Sequence, residues 1–245
     1  MTPKTDLANS TTMVVGASRG LGRGIAIAFA EAGAPVIAVA RSETALNDLA
    51  REVSGIHPEV ADAGDPSVAG SLIDRYDPHT LVLVAGATPL HRPIQHHTWE
   101  TFGRNWEVDV QHVFHWTREA LLAPLEPGST VITLSSGAAL RGSPLSGGYA
   151  GAKAAIRWLT AYAAEESGRA GLGIRFVSLL PQLTPATDLG AVFAAAYAAR
   201  SGGPAGGPGP AVTPEGAGRA VIELVSGPGP DQDAYLLTGA GLRPL

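Results

Sequence analysis

The chain of 245 residues contains no cysteine, which excludes a disulfide framework and thiolate metal centres. Lysine is almost as scarce: of 17 basic residues, Lys4 and Lys153 are the lysines and the rest are arginines. Charged side chains make up 16% of the sequence, aromatic ones 6%, and the formal net charge is -5. The basic patch that phosphate backbones require is missing, so nucleic acid is not an expected partner. No apolar run reaches the roughly 18 residues of a membrane span, and the opening "MTPKTDLANST" lacks the apolar core of a secretion signal. These absences predict a cytoplasmic protein with no membrane partner.

What remains is a chain 45% hydrophobic, long enough to bury the core of one large domain over 1–245. Short apolar runs at 12–15, 35–40, 56–60, 80–87, 129–136, 173–181 and 234–238 alternate with helical apolar spacing. The helical segments are 22–33, 43–53, 66–76, 98–123, 146–168 and 215–226. Near-continuous apolar strands separated by helices predict an α/β doubly wound Rossmann fold, a mainly parallel seven-stranded sheet covered on both faces. The alternation fails at "SGGPAGGPGPAVTP", residues 201–214, which cannot hold a helix. The stretch 182–214 is therefore expected to be a flexible loop, either a lid over substrate or a plain surface insertion.

Directly behind the first strand, "VVGASRGLGRG" sets Gly16, Gly20 and Gly22 in G-x-x-x-G-x-G spacing where a helix begins. Glycine there lets the backbone turn tightly and present amides at a helix N-terminus, where the dipole favours a pyrophosphate. Ser18, Arg19 and Leu21 belong to the same turn. An acidic residue at the end of the second strand would bind the ribose hydroxyls of NAD, but that strand ends in Ala40 and Arg41. Arg19 and Arg41, one from each of the first two βα turns, suit a 2'-phosphate, which selects NADP(H). Two solvated surface arginines are the plainer account.

In "SSGAALRGSPLSGGYAGAKAAI", Tyr149 and Lys153 are four apart on an expected helix and share a face, and Ser136 ends the strand before it. A phenol is a poor acid or base at neutral pH, and a neighbouring ammonium favours its ionised form. Where arginine is otherwise preferred, a lysine here suggests that a compact charge is required.

These residues give the sequence its resemblance to the short-chain dehydrogenase/reductase family, which runs over nearly the whole chain. It is carried by "GASRGLG", the Y-x-x-x-K of Tyr149 and Lys153, Ser136, "VADAGD" after the third strand, "AGA" after the fourth and Pro181 after the sixth. The resemblance implies that Ser136 hydrogen-bonds a substrate carbonyl, Tyr149 passes the proton, and Lys153 binds nicotinamide ribose while tuning Tyr149. It also implies that Asp62 contacts adenine and that Ala85, Gly86, Pro181 and Thr184 line the cofactor. A homodimer or homotetramer is expected, with Trp106, His112, Phe114, His115 and Trp116 of the long helix at a subunit contact; core packing is the competing account. A metal site is not expected, because His96 and His97 are adjacent rather than on one helical face.

Four positions, in three places, depart from the family pattern. Leu83 and Val84 stand where two asparagines are common, and Gln182 follows Pro181 in place of glycine. Asp109 occupies the position of an asparagine that helps hold a proton-relay water. Near Lys153 its carboxylate would form an ion pair, retain that water, or oppose ionisation of Tyr149. Asn105, one turn earlier, reads as an exposed helix position, with a shared role as the alternative. Altogether the sequence points to an NADP(H)-dependent oxidoreductase of the ketoreductase kind, acting on a small carbonyl or alcohol substrate in a biosynthetic pathway. A non-redox dehydratase, isomerase or cyclase on the same fold, and a non-catalytic NADP-binding protein, are the other two readings. Substrate choice falls to 88–97, 139–148 and 182–214.

Overall fold

The computed structural model describes residues 6–201, 210–227 and 232–245. Lys4, the first residues of the polar opening and the centre of the expected 201–214 loop lie outside the described residues. Parallel strands β1 (Thr12–Val15), β2 (Val36–Ala40), β3 (Ile56–Val60), β4 (Thr80–Leu83), β5 (Thr130–Leu134), β6 (Arg175–Pro181) and β7 (Ala234–Thr238) form one sheet. Its order is β3-β2-β1-β4-β5-β6-β7, closed by β8 (Gly241–Pro244), which pairs antiparallel with β7. The sheet thus has eight strands rather than the expected seven. "GLRP" carries no apolar alternation, and its pairing follows from the turn at 239–240 folding the end of the chain back along β7.

Alternation along each strand feeds two cores. Val14 faces one side with Ile25 and Phe29 of α1 (Gly20–Glu31) and Leu46 and Leu49 of α2 (Glu43–Glu52). Met13 and Val15 face the other with Leu72 and Ile73 of α3 (Pro66–Tyr76). Polar caps set the helix starts. Ser42 accepts from Ala45 N–H ahead of α2, and Asp65 accepts from Ser67 N–H with Pro66 in the first turn of α3.

The expected long helix at 98–123 begins at Thr98, whose hydroxyl and that of Thr101 form a capping box. It comprises α4 (Trp99–Asn105), a π-helical turn over Trp106–Val110 and α5 (Gln111–Leu122). α6 (Ala138–Arg141) follows β5, and α7 (Tyr149–Ala170) starts three residues later than the spacing predicted, immediately at the catalytic candidate. The stretch 182–214 is not a loop throughout, because α8 (Asp188–Ser201) fills its middle. α9 (Pro214–Ser226), capped by Thr213, packs on α1 and joins the first core.

Candidate active site

The C-terminal ends of β1, β2, β4, β5 and β6 open into one cleft of about 1120 Å³, the expected place for a ligand in an open α/β sheet and large for a small-molecule site. Gly16, Ser18, Arg19, Gly20 and Leu21 form one wall. Gly16 has φ of 101°, and a side chain there would come within 2.5 Å of the Ala85 backbone nitrogen, so glycine is required for the β1 turn to lie against the end of β4. Gly22 does not line the cleft; its missing Cβ leaves room for the Gly16 carbonyl, which a side chain would approach to 2.1 Å. Arg19 precedes α1 without capping it through its side chain, leaving the first amides of that helix free for an anion.

Arg19 and Arg41 are exposed, both line the cleft, and among the described residues neither enters a salt bridge. Asp62 lies on the same side, where its carboxylate accepts the Gly64 N–H at 3.0 Å. Ala85, Gly86, Pro181 and Thr184 complete the lining. Ala85 N–H donates to the Val15 carbonyl at 2.9 Å and Val84 N–H to the same oxygen at 2.8 Å, so backbone bonds secure the segment where Leu83 and Val84 replace polar residues.

Tyr149 is the first residue of α7, and Lys153 follows one turn later with its ammonium 5.6 Å from the tyrosine ring centre. Both are buried at the floor of the cleft, and Ser136, at the end of β5, opens onto the same space. The Ser136 hydroxyl accepts the Ala138 N–H at 3.2 Å, which fixes its oxygen while leaving its proton available.

Asp109 is 1% exposed and sits in the π-helical turn. Its Oδ2 lies 3.3 Å from Lys153 Nζ, and its Oδ1 accepts the Ala87 N–H at 2.7 Å. Lys153 Nζ also donates to the Leu134 carbonyl at 3.0 Å. Asn105 is not an exposed helix position: it is 1% exposed, and its amide donates to the Ala87 carbonyl at 2.8 Å and to Asp109 Oδ1 at 3.3 Å. The correction has a geometric cause: residues 105 and 109, four apart and so on one helical face, both pack against Ala87 in the segment after β4. The ion pair expected between Asp109 and Lys153 is formed. A buried pair of this kind needs further hydrogen bonds to offset desolvation, and these two groups have them.

His112 follows on α5. Its Nδ1 meets the Val108 carbonyl at 3.1 Å, and burial pushes its pKa down from 6.5 to about 4, so the ring is neutral. His112 and Trp116 are interior, with Trp116 donating from its indole to the Ala63 carbonyl at 3.1 Å, whereas Trp106 and Phe114 remain exposed. Among the described residues no three His, Asp or Glu side chains gather as metal ligands.

Sequence reasoning missed Phe193 and Tyr197 of α8. Phe193 lies 5.4 Å from the Tyr149 ring, and Tyr197 stacks on Phe193 at 6.2 Å. Their helix, "DLGAVFAAAYAARS", is apolar around most of its circumference, so periodicity gives it no clear face.

Residues 10–197 match the family described as short chain dehydrogenase. Human (Homo sapiens) L-xylulose reductase is 32% identical over 66% of this chain and 67% of its own length. The carbonyl reductase (NADPH) 2 of Sus scrofa is 30% identical over 64% of this chain and 65% of its own. A crystal structure of a candidate NAD(P)-dependent gluconate 5-dehydrogenase from Beutenbergia cavernae, with NADP bound at low occupancy, is similar at a TM-score of 0.76. It is 26% identical and covers 90% of each chain.

Proposed function

Because this chain belongs to the short-chain dehydrogenase family, we propose that it is an NADP(H)-dependent ketoreductase that converts a ketone or aldehyde to an alcohol. The observation that carries this reading is that Tyr149, Lys153 and Ser136 share one cleft with the glycine turn and with Arg19 and Arg41. The names of the relatives, xylulose and carbonyl reductases, support the direction.

The cleft fits a dinucleotide phosphate. The uncapped N-terminus of α1 takes the pyrophosphate, Arg19 and Arg41 take the 2'-phosphate, and Asp62 receives adenine. Ala85, Gly86, Pro181 and Thr184 border the nicotinamide half, and Lys153 reaches its ribose. Bound there, the cofactor supplies a hydride to the carbonyl carbon.

The chain's own groups handle the oxygen. Ser136 donates a hydrogen bond to the carbonyl oxygen and holds it as negative charge develops, and the Tyr149 hydroxyl delivers the proton that completes the alcohol. Lys153 stabilises the tyrosinate left behind. Asp109 positions Lys153, and with Asn105 it ties the ammonium to the loop after β4.

The exposed aromatic side chains Phe114 on α5 and Trp158 and Tyr162 on α7 suit a contact with a second copy, in keeping with a homodimer or homotetramer. Among the described residues no helix is long and apolar enough to cross a membrane. A cytoplasmic, biosynthetic role accords with the reading.

Fluorescence titration with NADPH and NADH, followed by carbonyl-dependent NADPH oxidation, tests the assignment. NADPH binding about tenfold tighter than NADH is expected. Binding of neither nucleotide refutes it.

A further inference from the structure

Around Tyr149, the three segments assigned to substrate choice meet in a cluster of rings. Phe193, 7% exposed, lies across the catalytic tyrosine with the two ring planes at 48°. His91, from the segment after β4, meets the Phe193 ring edge-on at 4.3 Å and 84°. Tyr197, one turn along α8, stacks with Phe193, with the planes at 15°. The Tyr197 and Ser143 hydroxyls hydrogen-bond each other, which fastens α8 to the segment after α6.

This wall offers little to a polyhydroxylated substrate. The Tyr197 and Ser143 hydroxyls are engaged with one another, and burial pushes His91 below the ordinary histidine range, so its ring carries no charge. Leu140 and Val192 extend the wall along the cleft. A sugar hydroxyl turned onto the Phe193 ring meets no polar partner on that ring, and burying it there is costly. A flat apolar group laid beside Phe193 would join rings that already pack at the separations where aromatic pairs attract.

Building on the reading of the cleft as a carbonyl-reducing site, we infer that the substrate carries an aryl or conjugated group next to its carbonyl, held against Phe193. The hydroxylated chain for which the xylulose reductases are named does not suit this wall. The α8 side of the cleft selects by aromatic contact, with Phe193 the specificity-determining side chain.

The test compares acetophenone, propanal and L-xylulose as probes with NADPH, in the wild type and in Phe193→Ala, Phe193→Leu and Phe193→Tyr. The wild type is expected to favour acetophenone over L-xylulose by at least about tenfold in kcat/KM. In Phe193→Ala the ratio of acetophenone to propanal falls about tenfold, Phe193→Leu is intermediate, and Phe193→Tyr, which keeps the ring, retains the preference. Equal use of L-xylulose by the wild type, or an unchanged ratio in Phe193→Ala, overturns the inference. Isothermal titration of acetophenone into NADP-saturated protein separates the two layers. If none of the probes is reduced but acetophenone binds and Phe193→Ala abolishes that binding, the aryl site stands and the reductase reading falls. Absence of both turnover and binding overturns the inference as well.

Discussion

The two ends of the cleft are built from different materials. At the end formed by β1, β2 and β4, the walls are mostly backbone: Gly16 pressed against Ala85, the open first turn of α1, and paired amides from Val84 and Ala85 on one carbonyl. At the end formed by α6 and α8, the walls are side chains, with Phe193 packed on Tyr149 and His91 and Tyr197 packed on Phe193. On the proposed reading, the cofactor would rest on main-chain geometry that few substitutions improve, and the substrate on rings that substitution changes easily. Between the ends lies the Asp109–Lys153 pair, fixed by the Ala87 N–H after β4 and the Leu134 carbonyl of β5.

The sharpest division between the two ends comes at Tyr149. Tyr149→Phe keeps the ring that packs on Phe193 and removes the hydroxyl, so kcat should fall roughly a hundred- to ten-thousandfold while NADPH titration stays unchanged. Turnover at the wild-type rate would show that the proton comes from elsewhere.

Next in size is the pair between them. Asp109→Ala leaves the Lys153 ammonium buried without its carboxylate and is expected to destabilise the fold by about 3–5 kcal/mol in urea unfolding. Asp109→Asn retains an oxygen for the Ala87 N–H and should leave carbonyl reduction intact or improve it. Total loss of turnover in Asp109→Asn, with NADPH binding unchanged, would mean that the negative charge itself is needed.

His112 gives a pH test of the same region. Its folded pKa of about 4 lies below the 6.5 of the unfolded chain, so the unfolded state takes up the proton first. Stability is therefore complete above about pH 6.5 and is lost as pH falls towards 4, by an amount on the order of 3 kcal/mol. Asp109 opposes the shift and Lys153 adds to it, and His79 and His91 are also lowered by burial. Denaturant unfolding at pH 7 and pH 5 should show the loss, and His112→Gln should reduce the difference between the two. An equal loss in that variant would assign the effect to the other histidines.

The smallest effect is at the cofactor end. Arg19→Ser and Arg41→Ser should each weaken NADPH binding by about tenfold, near 1.4 kcal/mol, and leave NADH binding unaltered. If NADH weakens equally, the arginines serve the pyrophosphate rather than the 2'-phosphate.

Much of the cofactor end was legible because its signals are local. The spacing of Gly16, Gly20 and Gly22 encodes a turn and a helix start within a few residues, and Tyr149 and Lys153 are neighbours through a single helical turn. Asn105 was not legible, because its burial depends on the segment holding Ala87, eighteen residues away in sequence. Phe193 was hidden for another reason: in an alanine-rich helix with no marked apolar stripe, the face that turns inward is chosen by what lies opposite.

By itself the sequence determined the alternating strands and helices, the glycine turn, the arginines after the first two strands and the Y-x-x-x-K pair, since each follows from spacing over a few residues. Tertiary structure decided that β8 closes the sheet, that Asp109 pairs with Lys153, and that α8 lays Phe193 over Tyr149. Those outcomes rest on contacts between distant segments, whose free energy exists only once the chain has brought them together.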